Sequence, residues 1–215
     1  MNVGILGSGT VGQALGRAFL TLEHQVMLGS RDAENPKGIA WMKQSGARAS
    51  HGTFAQAARF GEIVVLATLG VATEDAIRLA GPEHFSGKVA LDATNPLDSS
   101  KGMPPPVLVG GVGDSAGEKH QRLLPGAHVV KVFNTVGSAL MFRPQLPGGP
   151  PSMFLCGNDA AAKKRAAEIC KDFGWDAIDV GGIGAAHYLE AMCLVWVLAG
   201  ANSNNWNQAF KLLRK

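Results

Sequence analysis

A glycine-rich turn near the start of the chain is the stretch whose residue types and spacing point most directly to chemistry. The run Gly7-Ser8-Gly9-Thr10-Val11-Gly12 follows the apolar residues 3–6, and helical spacing of apolar residues begins directly after it. In such a turn Gly7 permits the tight bend, Gly9 lets the backbone approach a pyrophosphate, and Gly12 lets helix and strand pack closely. The free N–H groups at the helix N-terminus favour the same anion. The turn therefore predicts a dinucleotide-binding site.

The segment LGSRD, residues 28–32, ends a second apolar run and predicts which dinucleotide is bound. At this place NAD-binding proteins carry an acidic residue that hydrogen-bonds the adenosine ribose. Ser30 and Arg31 instead offer a hydroxyl donor and a guanidinium group, which suit the oxygens of a 2′-phosphate. Lys37 is near enough in sequence to add a second cation, and the Asp32 side chain is expected to point away. These residues predict NADP; a solvated arginine in a turn is the alternative interpretation.

Residues for nucleophilic or acid–base catalysis are not evident in the sequence. A nucleophilic triad would need a serine or cysteine held beside a histidine, and we expect no such triad in this chain. His187 is the one catalytic candidate, because it lies near the start of an apolar helix after a glycine-rich loop. Hydride transfer depends on positioning and exclusion of water rather than on an enzyme base. The cysteines are widely spaced and predict neither a disulfide framework nor a metal site, so each is expected to be a small buried apolar residue. They are Cys156, Cys170 and Cys193.

Apolar runs that alternate with helical spacing predict the elements that position these residues. Continuous apolar strands are typical of a parallel sheet covered on both faces. Their alternation with helices predicts an α/β doubly wound Rossmann fold with right-handed crossovers, mainly parallel and with a short C-terminal helical extension. The segments 97–117 and 142–152 are predicted to be long loops. The predicted strands are 3–6, 25–28, 48–50, 62–68, 88–94, 128–133, 153–157 and 176–180, and the predicted helices are 10–22, 39–44, 160–173 and 185–199.

The bulk composition limits the class of protein. The 215 residues, 46% hydrophobic and 17% charged, suit one NADP-binding Rossmann domain. We expect residues up to about 140 to form its dinucleotide-binding core and the rest a smaller C-terminal part. The net charge of +3 is small and the basic residues are scattered, which argues against a nucleic-acid partner. The longest apolar run, AMCLVWVLAGA, has 11 residues, and no signal peptide precedes the first strand. We therefore expect a cytoplasmic protein with no membrane partner.

Several segments, in order along the chain, resemble one known family. LGSGTVGQALGRAF, GSRD, DATNP, KVFNT, CGND and AFKLLR resemble segments of the NADPH-dependent coenzyme F420 reductases, also called F420-dependent NADP oxidoreductases. The cytoplasmic domain of the six-transmembrane metalloreductases is similar around LLPGAHVVKVFNT and MFLCGNDAAAK. The resemblance runs nearly end to end. Glu23 stands where relatives carry a glycine at a helix end, so it must avoid or tolerate a left-handed conformation.

The resemblance implies contacts with NADP(H) for residues at the ends of several strands. The residues alone predict the same place, because ligands of open α/β sheets bind at the carboxyl ends of parallel strands. The contacts implied are Ser8, Thr10 and Val11 with the pyrophosphate, Ser30 and Arg31 with the 2′-phosphate, Thr68 and Leu69 with the ribose and nicotinamide, and Asn95, Pro96, Asn134 and Thr135 as a wall around the nicotinamide.

Three functions remain open at this point. The first is hydride transfer between NADPH and a planar acceptor, either the deazaflavin coenzyme F420 or a flavin, by a protein expected to be a homodimer. The second is reduction of a small imine or carbonyl compound, as in pyrroline-carboxylate reductases, which carry a further helical domain. The third is a non-catalytic module that senses NADP(H). For the first, the loop 97–117, with Met103 and Val107, and residues 184–188 are expected to cover the acceptor ring.

Overall fold

An eight-stranded sheet forms the centre of the protein, as shown by a computed structural model that describes residues 1–98, 102, 107–109 and 113–215. Its strands follow the order β10-β9-β8-β5-β4-β1-β2-β3, and β6 and β7 pair separately as an antiparallel hairpin. The strands are β1 (Asn2–Leu6), β2 (Gln25–Ser30), β3 (Ala49–Thr53), β4 (Ile63–Leu66), β5 (Val89–Asp92), β6 (Leu97–Asp98), β7 (Val107–Leu108), β8 (His128–Lys131), β9 (Ser152–Gly157) and β10 (Asp176–Asp179).

The sheet is mainly parallel, which confirms the predicted Rossmann architecture. Every pair from β3 across to β8 is parallel. β9 runs antiparallel to β8, with Lys131 opposite Cys156, and β10 runs parallel to β9. The reversal at β9 differs from the expected succession of helical crossovers. Its cause is local, because the connection from β8 to β9 contains only the 3-10 turn Ser138–Leu140 and no α-helix.

The helices agree with the predicted ones where the apolar spacing is long, and three short helices lie where the sequence predicts none. α3 and α5 each begin with a capping box, formed by Thr53 with Gln56 and by Ser115 with Glu118. α5 and the β6–β7 hairpin occupy the two ends of the segment 97–117, so the prediction of a loop is wrong there. The helices are α1 (Thr10–Thr21), α2 (Pro36–Ser45), α3 (Phe54–Phe60), α4 (Thr73–Ala80), α5 (Ala116–Leu123), α6 (Ala160–Asp172) and α7 (Ala186–Ser203).

The core lies on both faces of the sheet, as continuous apolar strands predict. On one face α1 buries Leu15 and Phe19, each 1% exposed, and Phe19 meets Phe173 edge-on with ring centroids 5.0 Å apart. Burial of each such side chain stabilises the fold by roughly 1.5–3 kcal/mol. Just after α1, Glu23 adopts a φ of 64°, so this non-glycine residue tolerates the left-handed conformation.

α7 is longer than the predicted helix 185–199 and begins directly after the 3-10 turn Ile183–Ala185. By length and composition alone, Ile183–Ser203 is apolar enough to cross a membrane, a test that core helices of soluble proteins also meet. One face of α7 is buried against the rest of the protein, and its residues Leu189, Cys193 and Val197 are at most 5% exposed. The 11-residue apolar run of the sequence is therefore part of a longer apolar helix.

Candidate functional site

A cavity of about 440 Å³ lies at the carboxyl ends of β1, β2 and β4. The order of the strands reverses between β1 and β4. Open α/β sheets bind their ligands at such a point, beside the carboxyl ends of the strands. Many of the predicted site residues meet here: Gly7, Ser8, Gly9, Thr10, Val11, Ser30, Arg31, Thr68 and Leu69. Sequence reasoning missed the other residues that line the cavity, namely Asn35, Phe54, Ala67 and Ala72.

The three glycines of the turn have different surroundings. Gly7 has a φ of 133°, and a Cβ atom there would lie 2.3 Å from the carbonyl oxygen of Ala67. A Cβ atom on Gly12 would lie 2.0 Å from the carbonyl oxygen of Gly7, so Gly12 lies beneath the turn and not in the cavity wall. Gly9 has an ordinary φ of −79°, and apart from its chain neighbours no described residue has an atom within 4 Å of its Cβ position. Gly7 and Gly12 permit close packing, whereas Gly9 leaves open space beside the cavity.

The N-terminus of α1 presents uncapped amides to the cavity. Gly9 is the N-cap residue, no side chain of the described residues caps the helix, and its first turn has no acidic residue. Thr10 and Val11, the first helical residues, line the cavity. Unpaired N–H groups and the positive end of the helix dipole attract an anion. The start of α1 is therefore suited to phosphate oxygens.

Asn35 joins the glycine-rich turn to the start of α2. Its Oδ1 accepts hydrogen bonds from the amides of Lys37 and Gly38 at 3.1 and 3.2 Å, and Ser8 Oγ donates to the same oxygen at 3.3 Å. The signal is present in the sequence, because Asn35-Pro36 is a typical N-cap and N1 pair. The Lys37 side chain is exposed and outside the cavity lining, so the second cation expected at the strand tip does not line the cavity.

The tip of β2 places a buried hydroxyl beside an exposed cation. Ser30 is 5% exposed, donates its hydroxyl to the carbonyl of Asp32, and lies 3.1 Å from His51 Nε2. Arg31 is exposed, lines the cavity and forms no ion pair with another described residue. Asp32 Oδ1 accepts from the amide of Glu34 at 2.9 Å, so this carboxylate caps its own turn. The cation at the tip is left available to a ligand.

A second group of predicted residues lies at the carboxyl ends of β5 and β8, outside the lining of the cavity. Asn95 Nδ2 donates to the carbonyl oxygen of Asn134 at 2.7 Å, and Asn134 Nδ2 donates to Asn95 Oδ1 at 2.8 Å. Asn134 Nδ2 also donates to the carbonyl oxygen of Leu189 in α7 at 2.9 Å. Pro96 and Thr135 follow these asparagines in the chain. The two strand ends and α7 are thereby held together.

A strained backbone conformation lies directly before Asn134. The preceding Phe133 has a φ of 60°, a left-handed conformation that a bulky residue rarely adopts. Phe133 is 1% exposed and packs against Phe173 with ring centroids 5.5 Å apart, so core packing holds the conformation. The Asn134 nitrogen is fixed by two carbonyl acceptors, and its Oδ1 is buried without a hydrogen-bond partner in the described part of the chain. One buried acceptor is therefore left unused.

The cavity and the second group of residues adjoin each other. Gly70 follows Leu69, and a Cβ atom on Gly70 would lie 1.8 Å from the carbonyl oxygen of Asn95, so the two backbone segments touch. The β6–β7 hairpin starts beside them, where the amide of Val109 donates to the carbonyl oxygen of Pro96 at 2.8 Å. The cavity and the second group of residues are therefore neighbours along the same edge of the sheet.

Exposed apolar side chains surround this part of the edge, and we call Leu69, Val107, Val109 and Tyr188 the apolar rim. Their exposed fractions are 78%, 47%, 44% and 64%. β7 packs against α7, which places Val107 near the helix that carries Tyr188. The rings of His187 and Tyr188 contact each other at a tilt of 48° with centroids 3.7 Å apart, and His187 forms no hydrogen bond with another described residue. Met103, expected here from the sequence, lies outside the described residues.

Four ionisable residues form a buried cluster that sequence reasoning missed. Lys131 Nζ lies 2.8 Å from Asp92 Oδ2 and 3.0 Å from Glu190 Oε1. His120 Nδ1 lies 2.7 Å from the same Asp92 oxygen. None of the four is more than 2% exposed. The available signal was a charge inside an apolar run: Asp92 ends the apolar strand β5, Lys131 ends β8, and Glu190 lies in the apolar helix α7.

The buried cluster connects four elements, β5, β8, α5 and α7, behind the second group. Lys131 Nζ donates to the carbonyl oxygen of Thr94, the residue before Asn95, at 2.9 Å. Glu190 in α7 accepts from the amides of Ala116 and Gly117 at the start of α5, at 3.1 and 3.0 Å. Since carboxylates are stabilised at a helix N-terminus, Glu190 also compensates the dipole of α5. The cluster thus fixes β5, α5 and α7 around the segment that leads into Asn95.

The charges of the cluster stabilise one another despite their burial. Burial alone would raise the pKa of Asp92, but the charges of Lys131 and His120 and their hydrogen bonds hold this pKa well below its usual range. Burial would likewise lower the pKa of Lys131, but Asp92 and Glu190 outweigh it and raise this pKa. Asp92 and Lys131 therefore form an ion pair at neutral pH.

All three cysteines are free and buried, as the sequence predicts. Burial raises the pKa of Cys156 to about 12 and that of Cys193 to about 11, and it also raises the pKa of Cys170. Such thiols stay protonated near neutral pH and are poor nucleophiles. Within the part of the chain that the structure describes, no group of three or more His, Cys, Asp or Glu residues is arranged to hold a metal ion.

Comparisons with known proteins relate this geometry to proteins of known function. Residues 2–96 match the model of the family described as NADP oxidoreductase, coenzyme F420-dependent. The F420-dependent NADP reductase of Methanothermobacter marburgensis is 30% identical over 201 residues, which are 88% of this chain and 88% of that protein. Metalloreductase STEAP3 of Rattus norvegicus is 28% identical over 194 residues, which are 89% of this chain. The chain spans only 36% of the length of that metalloreductase.

Solved structures give the same relationship. The crystal structure of a candidate F420-dependent NADP-reductase from Arthrobacter sp. FB24 has 39% sequence identity and a TM-score of 0.92, and the match covers 99% of both chains. An imine reductase from Streptomyces aurantiacus has 20% identity and a TM-score of 0.66, over 94% of this chain and 64% of that one. The second likeness shows a shared fold only.

Proposed function

The chain belongs to the coenzyme F420-dependent NADP oxidoreductase family, and we propose that it transfers a hydride between NADPH and a planar acceptor, the deazaflavin F420 or a flavin. Membership of this family makes the protein an NADP-dependent oxidoreductase. The acceptor is the part that we infer. One observation carries the inference: a cavity suited to a dinucleotide phosphate lies next to an apolar rim at the edge of the sheet, and the two share Leu69.

The cavity fits the phosphates of NADP(H). The uncapped amides at Thr10 and Val11 would hold the pyrophosphate, and the open space at Gly9 lets it approach the backbone. Ser30 and Arg31 would hold the 2′-phosphate, since Arg31 is a cation that forms no ion pair with another described residue. This leaves Lys37, exposed at the start of α2, as an outer cation whose contribution is through longer-range attraction.

The nicotinamide end fits the second group of residues. Thr68 and Leu69 end the β4 side of the cavity, and the Asn95–Asn134 pair lies next along the edge. The two mutual hydrogen bonds of Asn95 and Asn134 make this end of the site a rigid polar wall. When bound, NADPH supplies the hydride; the chain orients the ring and keeps water away from it.

The apolar rim fits a flat, aromatic acceptor better than a small polar one. Leu69, Val107, Val109 and Tyr188 are exposed, and a conjugated ring stacked on the nicotinamide would bury part of them. His187 has no hydrogen-bond partner in the described part of the chain, and hydride transfer needs no base. We therefore assign His187 to the support of Tyr188, whose ring it contacts, rather than to proton transfer.

Two further expectations follow from the same proposal. Val195 and Leu198 of α7 are exposed apolar residues, 55% and 38%, which supports association of two copies as a homodimer. The free cysteines suit a reducing compartment, which supports a cytoplasmic location. Sedimentation of the purified chain tests the first expectation, since a sedimentation coefficient of a single copy at micromolar concentration would contradict it.

The acceptor is tested by NADPH oxidation with a panel of compounds. The panel contains F420, FMN, FAD, and a cyclic imine and a ketone as representatives of the imine and carbonyl class. We expect turnover with F420 or a flavin and none with the small compounds. Turnover only with the imine or the ketone would replace the proposed acceptor by the second class. NADPH binding without turnover of any compound would contradict the proposed hydride transfer.

A further inference from the structure

His51 lies behind the tip of β2, where nothing in the sequence points to it. It is on β3, in register with Leu28 of β2, so its side chain is on the same face of the sheet as Ser30. We propose that His51 is a specificity-determining residue that acts through Ser30 to select NADP(H) over NAD(H). This inference rests on the proposed 2′-phosphate site at Ser30 and Arg31.

The hydrogen bonds of Ser30 fix which atom donates. Ser30 Oγ has one proton, and that proton goes to the carbonyl oxygen of Asp32, which can only accept. His51 Nε2 lies 3.1 Å from the same Oγ and must therefore be the donor in this contact. The imidazole is thus in the tautomer with the proton on Nε2, and its Nδ1 is buried without a hydrogen-bond partner in the described part of the chain.

Gly38 holds the imidazole in this position. A Cβ atom on Gly38 would lie 2.1 Å from both Cδ2 and Nε2 of His51, so α2 approaches the edge of the ring as closely as a backbone can. Ser30 itself is 5% exposed and has little room to move. The pair of His51 and Ser30 is therefore a fixed unit between the β2 tip and the first turn of α2.

The consequence is that Ser30 is better placed to donate to a ligand than to accept from one, because His51 occupies one of the two lone pairs of its Oγ. With one lone pair engaged by His51, the hydroxyl can turn its proton from the Asp32 carbonyl to a neighbouring oxygen while Oγ stays in place. A 2′-phosphate has only acceptor oxygens there and needs such a donor. The 2′-hydroxyl of NAD(H) can itself donate, so it does not depend on the orientation of Ser30. His51 thus favours the phosphate without touching it.

The charge of His51 is not needed for this role. Burial lowers the pKa of His51, and the nearby carbonyl of Ala33 and the carboxylates of Asp32 and Glu34 only partly oppose the effect. The neutral imidazole retains its Nε2 proton and hence its hydrogen bond to Ser30. The effect therefore depends on a hydrogen-bond donor at the Nε2 position rather than on a positive charge.

Dissociation constants of the full chain for NADPH and NADH test the inference. His51→Leu removes the donor, and His51→Asn stays polar but is too short to reach Ser30. Each should weaken NADPH binding about three- to tenfold and leave NADH binding within about twofold. His51→Gln, which can place an N–H near the same point, should restore most of the preference. Ser50→Ala, on the same strand, is the matched control and should change neither constant.

A double-mutant cycle separates this role from a merely structural one. In a Ser30→Ala background, His51→Asn should have no further effect on the ratio of the two constants, because its route to the ligand is gone. Equal losses for NADPH and NADH in the His51 variants, or a full effect of His51→Asn without Ser30, would overturn the inference. A wild-type protein with no preference for NADPH would overturn both the proposed 2′-phosphate site and this inference, whereas unchanged His51 variants in a selective enzyme overturn this inference alone.

Discussion

Asn95 and Asn134 hydrogen-bond each other twice across the carboxyl ends of β5 and β8, at 2.7 and 2.8 Å. They are 39 residues apart in the chain and come from strands that pair directly, so the contact is a product of the parallel register. The strained backbone at Phe133 and the bond from Asn134 to Leu189 complete the arrangement. The strand ends are thereby rigid at the place where the nicotinamide is proposed to lie.

Removal of this pair should affect turnover more than cofactor binding. Asn95→Ala deletes one donor and one acceptor, while Asn134 keeps its bond to Leu189, so the protein should fold with a loss of about 1–3 kcal/mol in the free energy of unfolding. We expect kcat to fall and the dissociation constant for NADPH to change little, because the phosphate contacts lie elsewhere. Urea denaturation and steady-state kinetics measure the two effects. Asn202→Ala, an exposed asparagine of α7, is the control.

Arg31 should account for most of the preference for NADPH over NADH. Arg31→Ala removes an exposed guanidinium that has no ion-pair partner in the described part of the chain, so the fold should be unaffected. Loss of a charge-assisted contact corresponds to roughly ten- to a hundredfold weaker NADPH binding, with NADH binding nearly unchanged. Calorimetric titration of both cofactors checks this, with Arg17→Ala as the matched exposed arginine. Equal affinities in the wild type would refute the assignment.

Gly9 should tolerate a side chain in the fold but not in the complex. Gly9→Val places methyl groups in the open space beside the cavity, at an ordinary φ, so the melting temperature should be retained and NADPH binding lost. Gly12→Val is the contrasting variant, because its Cβ atom would meet the Gly7 carbonyl at 2.0 Å and should destabilise the fold itself. Unchanged NADPH titration of Gly9→Val would place the dinucleotide elsewhere.

The sequence predicts the sheet well because a buried parallel strand is itself an apolar run. The elements that the sequence does not predict are missed for identifiable reasons. α3 and α5 have 7 and 8 residues, which is too short for an apolar face to repeat, and only their capping boxes mark them. The antiparallel direction of β9 depends on the connection between β8 and β9, which apolar periodicity does not predict. Local patterns therefore predict elements, and connections decide their direction.

The residues of the site fall into two groups in the same way: those that local sequence patterns predict and those that only the fold brings together. The glycine-rich turn and the β2 tip are local, and their residues line one cavity. His51 and the buried cluster are contacts between distant parts of the chain: Lys131 meets Asp92 from 39 positions away and Glu190 from 59. Asp92, Lys131 and Glu190 are isolated charged residues in apolar segments, whereas His51 and His120 lie in polar segments that give no signal. Only the register of β5 with β8 and the packing of α7 bring them together.

Lys131 should be among the most important residues for stability. Lys131→Met would leave the Asp92 and Glu190 carboxylates buried without their cation, so the free energy of unfolding should fall by about 3–5 kcal/mol. Lys163→Met, which breaks a partly exposed pair with Asp179, should cost less than about 1 kcal/mol. Chemical denaturation of both variants measures the difference, and equal small losses would contradict the role of the cluster.

The pH dependence of stability gives a second measure of the cluster. The pKa of Asp92 is lowered on folding, so its contribution is present above the unfolded value of about 4 and is lost as the pH falls through the folded pKa. The pKa of Lys131 is raised, so its contribution is present below about pH 10 and is lost as the pH rises through the folded pKa. The free energy of unfolding of the wild type should exceed that of Lys131→Met by the largest amount between these two pH limits. A difference that stays constant into strong acid would be inconsistent with an ion pair.

The apolar rim should be needed for the acceptor and not for NADPH. Tyr188→Ala and the double variant Val107→Ser with Val109→Ser remove exposed apolar surface beside the proposed nicotinamide position, and the backbone bond from Val109 to Pro96 is retained. Because an aromatic acceptor would be held mainly by this surface, we expect its KM to rise about tenfold or more, corresponding to roughly 1.5–3 kcal/mol of lost burial. The dissociation constant for NADPH should stay within about twofold of wild type, since the phosphate contacts are untouched. Leu79→Ser, an equally exposed apolar residue on α4 (58%), is the control and should change neither value. Acceptor kinetics equal to wild type in both rim variants would move the second substrate away from this edge, and a parallel loss of NADPH binding would show that the rim belongs to the cofactor site instead.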